Sequence, residues 1–201
     1  MRDCPLPPIN SSNSAIVVHD MQKFFLQEAI KKPEMAEIVR KVRSLIDLAH
    51  SLTVPCIYTQ YIRDPEVPYP KGREQYLSYG GTSRMSLLKG SEGAEILDEL
   101  KPASTDFIMT KYRSSAFFGT ILDTLLRSKG VWILILVGGN SNWGVEWMAR
   151  DANTLDIVPV ALRDCTYSPT PEAQSASLAN IDSFIGYVMN YDEVTKMLST
   201  K

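Results

Sequence analysis

Residues 131–137 read Val-Trp-Ile-Leu-Ile-Leu-Val, an unbroken apolar run that constrains the fold of this chain more than any other segment. A half-exposed strand alternates apolar and polar residues, whereas a strand that is covered on both faces is apolar throughout. Strands of the second kind occur mainly in parallel sheets, because the crossover helices of such sheets lie on either side. The run therefore predicts the centre of a parallel sheet that has helices on both faces.

The rest of the chain alternates between strand-like and helix-like segments. Predicted strands span 14–19, 54–59, 106–110, 131–137, 157–162 and 185–189, and predicted helices span 35–52, 92–100, 117–129, 144–154, 171–183 and a short terminal segment from 191. A Pro, Gly and Tyr-rich stretch from 62 to about 89 has no clear period and predicts a lid or binding loop. We predict a single domain over 1–201 with a doubly wound, mainly parallel six-stranded sheet, a Rossmann-like α/β fold with right-handed crossovers.

Composition narrows the classes of function. The chain has 201 residues, of which 44% are hydrophobic, and its 21 Lys and Arg are balanced by 23 Asp and Glu. The basic residues form no stripe of the kind that binds nucleic acid. No apolar run reaches the roughly 20 residues of a membrane span, and the first residues lack the apolar core of a secretory signal. We therefore expect a cytoplasmic protein that binds neither nucleic acid nor membrane.

Cysteine and histidine usage argues against metal and disulfide chemistry. Cys4, Cys56 and Cys165 are odd in number and widely separated, which indicates reduced thiols. The chain has only two histidines, so we predict no metal site. The glycine pairs at 80–81 and 138–139 lack the spacing of a dinucleotide fingerprint, and we predict no cofactor.

Three strand ends carry groups that could react. Asp20 follows the first strand, Lys111 follows the third, and a turn from Gly138 to Gly144 follows the fourth. In open parallel sheets, ligands bind outside the carboxyl ends of the strands. Asp20 is either a helix N-cap or, if apolar neighbours raise its pKa, a proton donor, and the stretch alone favours neither. His19 precedes Asp20 on an alternating strand, so we expect it to face the other side of the sheet in a structural hydrogen bond.

These segments together resemble those of the isochorismatase-like hydrolase superfamily. The resemblance rests on the strand that ends in Asp20, on a Lys-x-x-x-Ser-Ala-Phe segment over 111–117, and on a glycine-rich turn that leads to Ala-Arg-Asp-Ala at 149–152. Most members are cysteine amidohydrolases, and the resemblance places their nucleophilic cysteine at Gly144. The isochorismatases proper carry glycine there, and His-Asp-Met-Gln at 19–22 looks closest to the first motif of their phenazine-pathway type. The Ala-Arg-Asp-Ala segment is more like the amidase branch.

The resemblance implies hydrolysis of the enolpyruvyl (vinyl) ether of isochorismate or a related chorismate-derived compound, with release of pyruvate. Asp20 would protonate the terminal methylene carbon, Lys111 would orient the acid or the substrate, and Gly144 would leave room for the ring and offer a backbone N–H. Residues expected to contact substrate are Phe25, Gln60, Arg84, Phe117, Asn140 and Trp143. Family members are commonly oligomeric, which implies a homodimer or a larger homo-oligomer. Two alternatives remain open: a catalytically silent binding protein, and an amidohydrolase whose nucleophile is replaced by glycine.

Overall fold

A single parallel sheet of six strands organises the molecule, in the order β3-β2-β1-β4-β5-β6. The computed structural model describes residues 5–64, 66–67 and 87–200. The strands are β1 (Ser14–His19), β2 (Cys56–Tyr61), β3 (Phe107–Lys111), β4 (Ile133–Gly139), β5 (Val158–Tyr167) and β6 (Tyr187–Met189). The predicted fold class is confirmed, and within the described ranges every strand pairing is parallel.

Helices connect the strands and cover both faces of the sheet. They are α1 (Lys23–Leu26), α2 (Pro33–Ser51), α3 (Leu122–Ser128), α4 (Glu146–Thr154), α5 (Pro171–Asn180) and α6 (Tyr191–Ser199). Short 3-10 turns lie at Ala29–Lys31, Glu92–Ala94 and Asp98–Leu100, and π-helical turns lie at Ser141–Val145 and Ile181–Ile185. Along the described chain, no helix is both long enough and apolar enough to cross a bilayer.

Two apolar layers hold the sheet between the helices. On one face, Ile16 and Val18 of β1 pack in a cluster with residues of α2 and α6. On the other face, Ala15 and Val17 pack in a cluster with residues of α3, α4 and α5. All seven residues of β4 are buried, as the continuous apolar run predicts for a central strand.

The strand order reverses direction at the middle of the sheet, between β1 and β4. From β1 the chain winds outward through β2 to β3, then returns to β4 on the other side of β1. The switch point between β1 and β4 is where open α/β sheets bind ligands. The register places His19 beside Thr59 on one neighbour and Gly138 on the other.

Two predicted helices are wrong in extent. The segment predicted as a helix over 92–100 contains two 3-10 turns, because residues between these turns pair with residues that follow β1. The Lys23 backbone amide donates to the Glu95 carbonyl at 2.9 Å, and the Leu97 backbone amide donates to the Met21 carbonyl at 2.9 Å. The helix predicted over 117–129 begins only at Leu122. Gly119 has a left-handed φ of +72°, which interrupts any earlier helical turn.

Candidate active site

A cavity of about 320 Å³ opens at the carboxyl edge of the sheet. Its walls combine aromatic rings with a few charged and polar groups, as is typical of small-molecule sites. The lining residues are His19, Asp20, Phe24, Phe25, Tyr61, Arg63, Leu87, Lys111, Ser114, Gly139, Asn140, Trp143 and Gly144. The three strand ends that the sequence singles out therefore meet at one cavity.

Asp20 lies where β1 ends and the backbone turns sharply. Its φ of +47° is in the left-handed region, which a few non-glycine residues, Asp among them, tolerate. Its Oδ1 accepts a hydrogen bond from Thr59 Oγ1 at 2.6 Å, and its Oδ2 accepts one from Lys111 Nζ at 2.7 Å. The Asp20 amide donates to the same Thr59 hydroxyl at 3.1 Å. The carboxyl group is therefore held in one orientation beside the cavity, and Asp20 does not act as a helix N-cap.

Lys111 is the last residue of β3, and only 1% of its side chain is exposed. Besides Asp20, its ammonium group donates to the carbonyl oxygens of Arg113 at 3.2 Å and Ser114 at 3.1 Å. These three acceptors match the three protons of the ammonium group. The group also lies 5.2 Å from the centre of the Tyr61 ring. Lys111 is thus a buried cation that is built into the site rather than a solvated surface lysine.

Gly144 lies in the turn Ser141–Val145 that leads into α4. A Cβ atom at this position would lie 2.2 Å from Cε1 of His19 and 2.6 Å from its Nε2. The site therefore has no space for any side chain at residue 144 while the imidazole keeps its place. Cys56 and Cys165 are buried and do not line the cavity.

His19 differs in part from the prediction. The structural hydrogen bond is present, since Nδ1 lies 3.1 Å from the Gly139 carbonyl oxygen. The prediction that His19 points away from the site is wrong, because it lines the same cavity as Asp20. Strand alternation does direct the ring to the face that carries α4, but the left-handed turn at Asp20 brings the carboxyl group round to the same cavity.

The predicted substrate contacts divide into three groups. Phe25, Asn140 and Trp143 line the cavity, and the Trp143 indole donates to Ser114 Oγ at 2.7 Å. Gln60 and Phe117 do not line it. The side-chain Nε2 of Gln60 donates to the Ala94 carbonyl at 3.1 Å on the opposite side of β2, and Phe117 packs against the apolar cluster that contains Ala15 and Val17. Arg84 lies outside the described residues.

Among the arginines that the structure describes, Arg63 lines the cavity. Its Nε is buried and has no hydrogen-bond partner within the described part of the chain. A guanidinium group with a free N–H can bind a substrate carboxylate. In the sequence, Arg63 is one of several arginines that follow β2. The path of the chain after Ile62 places Arg63 at the cavity, and the sequence does not reveal that path.

Two positioning residues escape the sequence reasoning. Thr59 is opposite His19 in the β1–β2 register, which places its hydroxyl beside Asp20. Gln22 is fully buried and connects the segment after β1 to β2. Its side-chain Nε2 donates to the backbone carbonyls of Tyr61 at 3.1 Å and Ala94 at 2.8 Å, and its Oε1 accepts from the Tyr61 backbone N–H at 2.9 Å. Its place in the His-Asp-Met-Gln motif is the signal that could have found it.

One group of side chains in the described residues has donor atoms close enough to hold a metal ion. It joins His50, Cys56 and Asp106 at the amino end of β2 and β3, away from the cavity. His50 Nε2 and Asp106 Oδ1 lie 2.7 Å apart and already satisfy one another. Burial, reinforced by Asp106, raises the pKa of the Cys56 thiol to about 12, which opposes the thiolate form that binds metals.

The chain is similar to several known proteins. Residues 14–193 match the isochorismatase domain. The chain is 30% identical to ureidoacrylate amidohydrolase RutB of Yersinia enterocolitica, with 90% of this chain and 87% of that protein covered. It also resembles the crystal structure of a cysteine hydrolase from Pseudomonas syringae pv. phaseolicola (TM-score 0.85, 28% identity, 98% of both chains).

A further solved structure is that of N-carbamoylsarcosine amidase from Thermoplasma acidophilum, with a TM-score of 0.73, 25% identity and coverage of 90% of this chain and 97% of that one. The domain match covers most of the sequence and includes Asp20, Lys111 and Gly144. The chain therefore belongs to the isochorismatase family of hydrolases.

Proposed function

We propose that this protein hydrolyses the enolpyruvyl ether of isochorismate or a related chorismate-derived acid and releases pyruvate. The observation that carries the proposal is the combination of a buried Asp20–Lys111 pair with a residue 144 that has no room for a nucleophilic side chain. Amide hydrolysis through a thioester needs a thiol at the reacting centre, whereas vinyl ether hydrolysis needs an acid. Among the described residues, the lining of the cavity contains the carboxyl group of Asp20 and no thiol.

The proposed reaction begins with transfer of a proton from Asp20 to the terminal methylene carbon of the substrate. Asp20 Oδ2 can receive that proton from Lys111 along their 2.7 Å hydrogen bond once the ligand excludes water. Protonation of carbon leaves an oxocarbenium ion, which water attacks to form a hemiketal. The hemiketal then separates into pyruvate and a ring alcohol.

The cavity walls suit an unsaturated ring that carries carboxylates. Phe24, Phe25, Tyr61 and Trp143 provide apolar and aromatic surface. Arg63 supplies a cation whose Nε has no partner among the described residues and is available to a carboxylate. A volume of about 320 Å³ lies at the lower end of the range for small-molecule pockets.

Pyruvate release from isochorismate tests the proposal directly. We expect turnover by the wild type and a loss of it in Asp20→Asn, which keeps the shape of the side chain and removes the transferable proton. Asp98→Asn, on an acid that is exposed and outside the cavity, is the matched control. A well-folded wild type without pyruvate release would contradict the proposal and favour a silent binding protein.

A second candidate is amide hydrolysis of a ureido compound. The names of the relatives favour it, because RutB is a ureidoacrylate amidohydrolase and the Thermoplasma structure is an amidase. Ammonia release from ureidoacrylate by the wild type would support it over ether hydrolysis.

The possibility that this chain is an amidohydrolase with a lost nucleophile has a specific test. Gly144→Cys alone places its Cβ against the His19 ring, so we expect no gain of activity. The double variant His19→Ala/Gly144→Cys clears that space and is the fair comparison. Gain of ammonia release only in the double variant would support descent from a cysteine amidohydrolase.

We also propose that the protein forms at least a homodimer. Phe118, Ile121, Trp143 and Trp147 are 67%, 68%, 44% and 51% exposed, and the two tryptophan rings lie 6.3 Å apart. Large exposed apolar side chains often mark an interface. Sedimentation equilibrium of the wild type and of Trp147→Glu tests this, with Phe184→Glu as a control at another exposed aromatic.

The unpaired state of two cysteines bears on the cellular compartment that we propose for the protein. Cys56 and Cys165 are both unpaired. Unpaired thiols are typical of reducing compartments, which supports our proposal of a cytoplasmic enzyme.

A further inference from the structure

The imidazole of His19 fills the space that a side chain at residue 144 would need. A Cβ built on Gly144 would lie 2.2 Å from Cε1 and 2.6 Å from Nε2 of that ring. No rotamer at residue 144 relieves this overlap, because the Cβ position is set by the backbone. Histidine at 19 and glycine at 144 are therefore a matched pair, because the ring can keep its present position only while residue 144 has no side chain.

Considering the described residues, one nitrogen of the His19 ring has a hydrogen-bond partner and the other has none. Nδ1 lies 3.1 Å from the Gly139 carbonyl oxygen, and a carbonyl oxygen only accepts hydrogen bonds, so Nδ1 carries the hydrogen. In a neutral ring this leaves a lone pair on Nε2. That atom is buried and has no hydrogen-bond partner within the described residues, although His19 lines the cavity. A buried polar atom without a partner, at the wall of a cavity, indicates a place for a ligand or a water molecule.

The surroundings keep this ring neutral. Burial lowers the pKa of His19 below its usual 6.5, and the positive charge of Lys111 acts in the same direction. The Asp20 carboxylate and the carbonyls of Gly139 and Ser114 oppose the shift in pKa without reversing it. A neutral imidazole is the form that can accept a proton.

We propose that His19 is a catalytic residue that binds the hydrolytic water through Nε2 and removes its proton, from the position at which family relatives of the amidase branch would carry a nucleophile. The inference rests on the proposed vinyl ether hydrolysis and adds the base that this reaction needs. Asp20 supplies the acid and His19 the base, and the two side chains are adjacent, with His19 Nδ1 3.5 Å from Asp20 Oδ2.

The atoms balance over one turnover. Asp20 gives its proton to the methylene carbon, whose double-bond electrons form the new C–H bond and leave an oxocarbenium ion. Water forms a bond to the cationic carbon while its proton passes to His19 Nε2. The bond between that carbon and the ether oxygen attached to the ring then breaks. The leaving oxygen takes the proton from Nε2, and the hemiketal hydroxyl returns a proton to Asp20. Asp20 passes that proton back to Lys111 along their hydrogen bond, one water is consumed, and Asp20, Lys111 and His19 regain their starting states.

Nitrogen NMR of the wild type tests the state of the ring without any substitution in the site. The chain has only two histidines, so labelling with ¹⁵N-histidine gives two imidazoles, and His50→Asn assigns them. We expect His19 to be neutral near pH 7 with hydrogen on Nδ1 and a bare Nε2. A His19 that is protonated near pH 7, or that carries its hydrogen on Nε2, would overturn the inference.

Turnover in D₂O tests the chemical role. His19→Asn keeps a side-chain N–H for the Gly139 carbonyl and removes the base at Nε2. We expect pyruvate release to fall about 100-fold, the lower range for loss of a general base. The oxocarbenium ion should then return to substrate, so recovered substrate should gain methylene deuterium at least about 10-fold faster per turnover than with the wild type. His50→Asn, away from the cavity, should match the wild type on both measures.

The outcomes separate the two proposals. Wild-type turnover together with full-rate, unlabelled turnover by His19→Asn would contradict the base role and leave vinyl ether hydrolysis standing. A wild type that releases no pyruvate contradicts the proposed function, and the base role of His19 is then wrong as well. Loss of activity in His19→Asn without deuterium in the substrate would assign His19 a structural role only.

Discussion

The two ends of the sheet each bring a histidine close to an aspartate, and they use the pair differently. At the amino end, His50 and Asp106 are hydrogen bonded at 2.7 Å, and the second oxygen of Asp106 accepts from the Ala103 amide at 2.8 Å. At the carboxyl end, His19 Nδ1 is 3.5 Å from Asp20 Oδ2, and the two side chains bind other partners. Asp106 thus has both oxygens engaged in local structure, whereas Nε2 of His19, at a cavity wall, has no partner in the part of the chain that the structure describes.

The difference shows what distinguishes a reactive cluster from a structural one. Both sites bring a histidine close to an aspartate, so that pair of residue types alone does not separate them. The carboxyl end adds a buried cation, Lys111, and a left-handed turn at Asp20. These features orient polar atoms toward a space that a ligand can enter.

The strongest test of the comparison replaces the aspartate carboxylate with an amide at each end of the sheet. Asp20→Asn should lower pyruvate release by about 10³-fold, because the group that transfers the proton is lost. Asp106→Asn should leave the rate unchanged and lower the free energy of unfolding by about 1 kcal/mol, the order of one hydrogen bond. Steady-state kinetics and urea unfolding of both variants measure this. Equal effects on rate would show that the two ends are not functionally distinct.

Removal of the buried cation should affect stability as well as activity. Lys111→Met leaves the Asp20 carboxylate buried without its partner, and we expect a loss of about 3 kcal/mol in the free energy of unfolding. Asp20→Asn/Lys111→Met removes both charges and should regain most of that stability but no activity. Urea unfolding of the two variants checks this, and a double variant as unstable as Lys111→Met would contradict it.

The carboxylate role of Arg63 predicts an effect on binding. Arg63→Gln should raise KM for isochorismate by about 30-fold, in line with loss of one charge-assisted hydrogen bond, and should change kcat much less. Lys89→Gln is a suitable control, since Lys89 is a nearby exposed cation that pairs with Asp64 and does not line the cavity. An unchanged KM for Arg63→Gln would assign substrate carboxylate binding to another group.

The matched pair of His19 and Gly144 predicts coupling between the two positions. Gly144→Ala should cost about 2 kcal/mol in the free energy of unfolding, because the new methyl group overlaps the imidazole. In His19→Ala/Gly144→Ala the methyl group occupies space that the ring has left, so the loss should be smaller than the sum of the single losses. A double-mutant cycle measures the coupling, and strict additivity would contradict the pairing.

The smallest predicted effect is on the pH dependence of stability. Burial, together with the charge of Lys111, lowers the pKa of His19 in the folded state below its usual value of 6.5. At a pH below 6.5 the unfolded chain therefore binds a proton at His19 more readily than the folded chain does. The contribution of His19 to stability is therefore fully present above pH 6.5 and declines as the pH falls below it, by at most ~1.4 kcal/mol per pH unit. Unfolding of the wild type and His19→Asn between pH 7 and pH 5 compares the slopes. Identical slopes would contradict the lowered pKa.

Much of the fold follows from local pattern. The apolar run at 131–137 predicts the central strand, and β1 has the predicted bounds of 14–19. The segment 92–100 departs from prediction because its backbone pairs with residues after β1, a contact between segments distant in sequence. Helix propensity at that segment is overridden by tertiary hydrogen bonds.

The site was predictable in its reactive groups and less so in their neighbours. Asp20, Lys111 and Gly144 stand at strand ends that the pattern identifies, and the structure brings them to one cavity. The resemblance predicts that Gln60 contacts substrate, but its neighbour Tyr61 lines the cavity instead. A shift of one residue on a strand reverses the face, so a motif match that is uncertain by one position cannot place a side chain.

By itself, the sequence determined the six strands along the chain, most of the helices between them, the covered central strand and the residue types at the strand ends, because side-chain periodicity is a local property of the chain. Only the tertiary structure decided that Thr59 holds Asp20, that Arg63 reaches the cavity, and that the ring of His19 occupies the space beside Gly144. Those relations depend on strand register and on the left-handed turn at Asp20, which are set by packing between segments far apart in sequence.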